Sequence, residues 1–149
     1  MIFVNDVAIS DNDVYQEMQY HPAVSLEQVR CDAARALVIR QLLLQAAQKQ
    51  GLLQERTEEA AIAELIAQEV RVPQADEDSC RRYYQKNPNR FLDSQQSVRP
   101  FDEVKAQIGD YLQARSLSTG IHQYIRLLAG AARIQGFEIQ GSEIPLVAG

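Results

Sequence analysis

Residues 26–50 read LEQVRCDAARALVIRQLLLQAAQKQ, and this stretch decides the fold. It contains no Pro or Gly and is rich in strong helix formers, so it predicts one long helix. Ser25 stands where an N-cap belongs, with Gln28 at the third helical position as a capping-box partner. Gly51 follows the last turn, where a left-handed residue ends many helices. The second half carries Leu37, Val38, Ile39, Leu42, Leu43, Leu44, Ala46 and Ala47. That is apolar nearly all round, and such a helix is central and buried.

Working outward, the same punctuation recurs. Ile2-Phe3-Val4 and Val7-Ala8-Ile9 are β-prone triplets around Asn5-Asp6, a pair that tolerates the left-handed backbone of a tight hairpin. Ser10 with Asp13 forms a second capping box, and the helix it opens carries Val14, Tyr15 and Met18 until His21-Pro22 stops it. Thr57 caps a helix to about Val70, with Glu58 and Glu59 at its positive end. Pro73 breaks the chain, and Asp76 opens a short helix that halts at Asn87-Pro88. Leu92 to Val98 is a polar connector. A last long helix is expected from about Asp102 to Gly130, with an apolar stripe whose period slips between Arg115 and Gly120. In the tail, Ala132, Ile134, Phe137 and Ile139 read as a strand with an irregularity at Gly136. A lone hairpin is marginal, so this strand is expected to pair with the N-terminal one and join the two segments. The fold class is mainly α, with long central and C-terminal helices and a small β-sheet, in a single domain over 1–149.

Composition narrows the function. Twenty acids against fifteen bases, twelve of them Arg, argue against a dedicated nucleic-acid binder. No apolar run approaches the roughly 18 residues of a membrane span. The N-terminus has no basic segment followed by an apolar stretch, so a cytoplasmic protein is expected, or a periplasmic one whose leader has been removed. Cys31 and Cys80 are expected to be free, mostly buried thiols.

Chemistry-bearing residues are few. His21 sits at a helix end with Glu17 four residues before it, and His122 lies on the last helix. Both are expected as capping or surface residues. The two Cys and two His lack zinc-ligand spacing. No phosphate loop, nucleophile elbow or dinucleotide fingerprint is present. Glu58-Glu59 and Asp76-Glu77-Asp78 sit at helix starts, where the dipole accounts for them. Arg81-Arg82 beside Tyr83-Tyr84 raises a nucleic-acid patch, but the expected arrangement is a helix with Tyr packed inward and Arg in solvent. No catalytic residue, cofactor or metal is assigned. The remaining candidates are apolar residues near helix ends and loops, Met18, Tyr20, Leu52, Leu53, Tyr84 and Phe91, as contacts for a peptide.

The order of motifs adds a resemblance. Val4-Asn5-Asp6-Val7-Ala8-Ile9 is followed by the Ala36–Ala46 helix, a Gly51-Leu52 exit and Glu69–Pro73. Then come Cys80–Tyr84, Asn87–Phe91, Pro100–Val104, Gln123–Gly130 and Ala132–Gly136. This series resembles the SurA-like chaperone domain of bacterial parvulin-type peptidyl-prolyl isomerases, including their NifM-like relatives. The resemblance implies a SurA N-terminal-like helical domain. In that family a parvulin domain stands between the segments that match Phe91 and Phe101. Here only Leu92 to Pro100 separates them, too short for an α/β domain, so the isomerase site is not carried over. The expected function is an ATP-independent chaperone module that binds unfolded or nascent polypeptide clients in an apolar cleft and is not an enzyme. Two alternatives stand beside it. One is a structural module forming a homodimer, domain-swapped or not. The other is part of an isomerase whose catalytic domain was removed. No nucleic acid and no membrane span are expected.

Overall fold

The computed structural model describes residues 1–139. These are mainly helical, with five α-helices and a three-stranded antiparallel sheet. They form two compact units, Met1–Val70 with the chain from Ile121 onward, and Arg71–Gly120. No described helix is long and apolar enough to cross a membrane.

The first unit begins with β1 (Ile2–Val4) and β2 (Val7–Ile9), paired antiparallel with Val4 opposite Val7. Asn5 and Asp6 take φ of 48° and 69°, the two left-handed residues that the turn demands. Helix α1 (Asp11–Glu17) opens on the expected box: the Asp13 amide donates to Ser10 Oγ at 3.0 Å, and the Ser10 amide donates to the Asp13 carboxylate at 2.9 Å. A 3₁₀ turn, Met18–Tyr20, follows and stops at His21.

Helix α2 (Leu26–Lys49) is capped by Ser25, whose Oγ accepts from the Gln28 amide at 3.1 Å, but the Gln28 side chain donates to Asp32 at 2.8 Å and does not close the expected box. Its two apolar faces enter two buried clusters. Ala33, Ala34, Val38 and Leu42 meet Ile2, Val4, Ile9 and Val14. Ile39, Leu43 and Ala47 meet Leu52, Ala61, Leu65, Val70, Ile121 and Ile125. Ala61 and Leu65 come from α3 (Glu58–Glu69), capped by Thr57. Arg40 of α2 reaches Glu58 at 2.6 Å and Glu59 at 3.0 Å in the first turn of α3. Burial opposes the Arg40 charge, but these carboxylates outweigh it and raise its pKa.

The terminal pairing is present. Strand β3 (Ile134–Gln135) runs antiparallel to β1, with Val4 opposite Ile134. A polar clasp seals it: the Asn5 amide donates to Arg133 O at 2.8 Å, and the Arg133 amide returns a bond to Asn5 Oδ1 at 2.8 Å. Gln45 of α2 joins in, accepting from Asn5 Nδ2 and donating to Val4 O, both at 2.9 Å. The strand is shorter than its apolar pattern suggests. Gly136 takes φ of 85° and turns the chain, so Phe137 and Ile139 pack on the core outside the strand.

In the second unit, Asp76 caps α4 (Glu77–Lys86) through the Ser79 amide at 2.7 Å. A 3₁₀ turn, Pro88–Phe91, follows. Helix α5 (Phe101–Ala131) is longer than either unit needs alone. Its Val104 and Ile108 are buried with Cys80 and Phe91, while its Ile121 and Ile125 belong to the first unit's core. The slip in apolar period falls where the helix passes from one core to the other. Both thiols are free, Cys80 buried and Cys31 half-buried.

Two glycines give opposite expectations. A Cβ at Gly136 would lie 2.6 Å from Met1 O, on a backbone that L side chains rarely adopt. Gly136→Ala is expected to destabilise by about 1–3 kcal/mol. Gly130 is helical with open space around its Cβ, so Gly130→Ala should stabilise by about 0.5–1 kcal/mol. Urea unfolding of both variants measures this.

The helix-start carboxylates set the acid limit. Ser10 and Ser79 backbone amides hold Asp13 and Asp76 below the ordinary value of 3.8. Its own amide and Arg40 hold Glu59, and Lys105 and Arg81 hold Glu77, below 4.5. A depressed folded-state pKa stabilises above the unfolded value and loses that stabilisation as pH falls through the folded one. The urea midpoint is therefore expected to hold level from neutral pH to about pH 5.5, then decline progressively through about pH 3.

Candidate peptide-binding surface

The apolar residues that fail to find a core are concentrated between residues 15 and 26 of the first unit. Val14 of α1 is buried, and Met18 at the start of the 3₁₀ turn is half-buried, both against the sheet and α2. Tyr15 is thereby turned outward and is 73% exposed. His21 Nε2 lies 2.6 Å from Glu17 Oε2, which pins the end of the 3₁₀ turn and leaves Tyr20 69% exposed. Pro22 prevents continuation, and the chain runs over the surface to Ser25. Val24 precedes the cap of α2, where a hydrophobic staple would pack on Val29. It is fully solvent-exposed, so no staple forms. Leu26, in the first turn of α2, is 71% exposed.

Beside this run lies a groove of about 440 Å³. Ile9, Leu37 and Leu44 contribute apolar lining and Tyr20 stands on its edge. Asp13, Glu17, Glu58 and Arg40 supply polar lining. The Arg40–Glu58 pair leaves that guanidinium already occupied.

The six residues singled out from the sequence divide sharply. Tyr20 is exposed on the groove, and Met18 is half-buried against the core. Leu53 is half-buried against the core. Leu52 is only 7% exposed because its amide closes the end of α2 on Ala47 O at 2.9 Å and drives the side chain into the core. As a peptide contact it is replaced by a core role. Phe91, in the second unit, is 6% exposed and likewise a core residue. Tyr84 is half-buried between Phe91 and Phe101, with ring centroids at 5.5 and 5.4 Å, and its hydroxyl donates to Arg99 O at 2.6 Å. Tyr15, Val24 and Leu26 escaped the sequence reading. Each sits where a local rule expects it to pack, and only tertiary structure shows that nothing meets it.

Tyr84 and Phe91 serve the connector. The Arg99 amide donates to Phe91 O at 2.7 Å, and Leu92 and Val98 form an antiparallel bridge. Asp93 closes the tip, accepting from the amides of Gln95 and Ser97, with Gln96 at φ 66°. The connector is thus a tight hairpin whose two ends are hydrogen-bonded to each other.

Among the described residues, no group of three His, Cys, Asp or Glu is arranged to hold a metal. Compared with protein-family models, curated proteins and solved structures, the chain matches none.

Removing the Tyr84 hydroxyl tests the connector's anchoring. Tyr84→Phe keeps the ring stack but strands the Arg99 carbonyl, and should cost about 1 kcal/mol in urea unfolding. It should also speed proteolysis between Leu92 and Val98. Unchanged cleavage would show that the ring contacts alone hold the hairpin.

Proposed function

We propose that this chain is an ATP-independent chaperone module that holds unfolded or extended polypeptide on the apolar surface of its first unit. The observation that carries the reading is the run Tyr15, Tyr20, Val24 and Leu26, large apolar side chains exposed within one short segment beside a groove. Concentrated exposed apolar surface of this kind marks interaction sites more often than inert surface. Aromatic side chains suit varied partners because each offers a broad apolar face with a polar tip. Bound client leaves the aggregation-prone pool, which protects it by mass action without nucleotide.

The order of motifs supports kinship with the SurA-like domains of parvulin-type isomerases. The connector is consistent with it. A domain is tolerated at an exposed loop whose ends lie close together, and the Phe91–Arg99 hydrogen bond brings these ends together. On this reading the chain keeps the holding function of that family and not its isomerase chemistry.

Suppression of light scattering from a heat-aggregating client is the test. The wild-type chain should suppress aggregation near equimolar ratio. Tyr15→Ser, Tyr20→Ser and Val24→Ser combined should remove most of that protection. The side chains are exposed, so each change should shift stability by no more than about 0.5 kcal/mol. Protection that survives the triple variant, or none from the wild type, defeats the proposal.

A further inference from the structure

The second unit carries a feature that the holding function does not use. Its cleft, of about 650 Å³, lies along α4 and the middle of α5. Arg82, Lys86, Arg90 and Arg115 all line it, together with Tyr83 and Tyr111. None of these four cations forms an ion pair among the described residues. Three other bases of the unit are paired: Arg81 and Lys105 share Glu77, and Arg99 reaches Glu103, while Arg71 does not line the cleft. Arg90 donates to the Tyr83 hydroxyl at 3.0 Å, and Arg82 to Ser79 Oγ at 3.2 Å. The Tyr111 hydroxyl is held below its ordinary pKa of 10.0, first by a hydrogen bond from Arg115, then by Tyr83, then by the Arg90 charge. Positive potential is therefore gathered in one concave place on a chain whose net charge is −5.

We propose that this cleft binds an extended, carboxylate-rich polypeptide segment, its Asp or Glu side chains meeting the cationic row and its backbone lying beside the exposed Tyr111. Spacing favours a chain over a single small anion. Arg82 and Lys86 are one helical turn apart, about 6 Å along the axis. Side chains on one face of an extended peptide repeat at about 6.7 Å. A lone phosphate would need convergent donors, whereas Arg82, Lys86 and Arg90 are spread along the cleft. Nucleic acid fits less well. Tyr83 is engaged edge-on with Phe91 at 6.1 Å, so its ring is committed to the core side. Guanidinium and carboxylate pair through charge-assisted, often bidentate hydrogen bonds, which gives the site its selectivity. This inference does not rest on the first unit's apolar surface, and its failure leaves the holding function untouched.

Fluorescence anisotropy on the full chain tests it, with a labelled peptide alternating Glu and Ser. The Glu peptide should bind at least tenfold more tightly than its Gln counterpart, and weaken severalfold between about 50 and about 200 mM salt, as exposed charge pairs do. Arg82→Gln with Lys86→Gln should lose roughly tenfold, while Arg30→Gln on α2 changes nothing. Arg115→Gln, on the opposite wall, should weaken binding even if the double variant proves unstable by circular dichroism. Equal binding of the Gln peptide, or full affinity in a folded Arg115→Gln variant, overturns the proposal. So does tighter binding of a thymidine oligonucleotide, or complete displacement by millimolar inorganic phosphate, since each would assign the cleft to another anion.

Discussion

A helix that is apolar on two faces must be covered twice, and the first unit is organised around meeting that demand. On one side of α2, Val38 and Leu42 are buried by the sheet and α1; on the other, Ile39, Leu43 and Ala47 are buried by α3 and the end of α5. Each fully buried Leu or Ile is worth about 1.5–3 kcal/mol relative to exposure, so leaving either face open would cost more than most domains have to spare. The sheet is too small to stand by itself. It persists because Ile2, Val4 and Ile9 are buried with the α2 residues and because Gln45 bonds both Asn5 and the Val4 carbonyl. The terminal segments meet as a consequence of covering α2, not as an independent event.

This hierarchy explains what the amino-acid sequence disclosed. The caps at Ser10, Ser25, Thr57 and Asp76 were legible because a cap is an i to i+3 bond, complete within its own segment. The hairpin was legible because Asn5 and Asp6 carry the turn chemistry themselves. The pairing of the two ends followed from the physical need of a marginal hairpin for a third strand. Less was legible where the decisive contact is remote. Leu52 looks like a loop residue until α3 is placed beside it, and Phe91 looks like a helix-end aromatic until Val104 and Ile108 enclose it. Val24 and Tyr15 have the opposite history, apolar residues in positions that local rules assign to packing yet left in water. The basic cleft was hidden for the same reason. Arg82, Lys86 and Arg90 form a row within one segment, but Arg115 arrives from α5, and the concavity exists only once both are in place.

Charge divides along the same line as packing. Residues 71–120 hold eight Lys and Arg against seven Asp and Glu, whereas the rest of the chain holds seven against thirteen. The acid excess of the protein therefore belongs to the first unit. Within the second unit, acids gather at the start of α4 and along α5, where helix dipoles and neighbouring bases neutralise them. The cleft cations form no ion pair among the described residues, which lets a site for anions form on an acidic protein.

The same division bears on the exposed apolar run of the first unit. Exposing Tyr15, Val24 or Leu26 in the native state costs folding little, because the unfolded chain exposes them too. The penalty is paid instead in self-association, where one copy's apolar run would meet another's. Acidic residues flank that run, with Asp11, Asp13 and Glu17 before it ends and Glu27 just after it. Between two identical copies these charges repel, and the first unit's excess of acids adds to the repulsion. A chain of opposite charge meets no such barrier. An exposed apolar run flanked by acidic side chains therefore disfavours pairing of two identical copies relative to pairing with a chain of opposite charge.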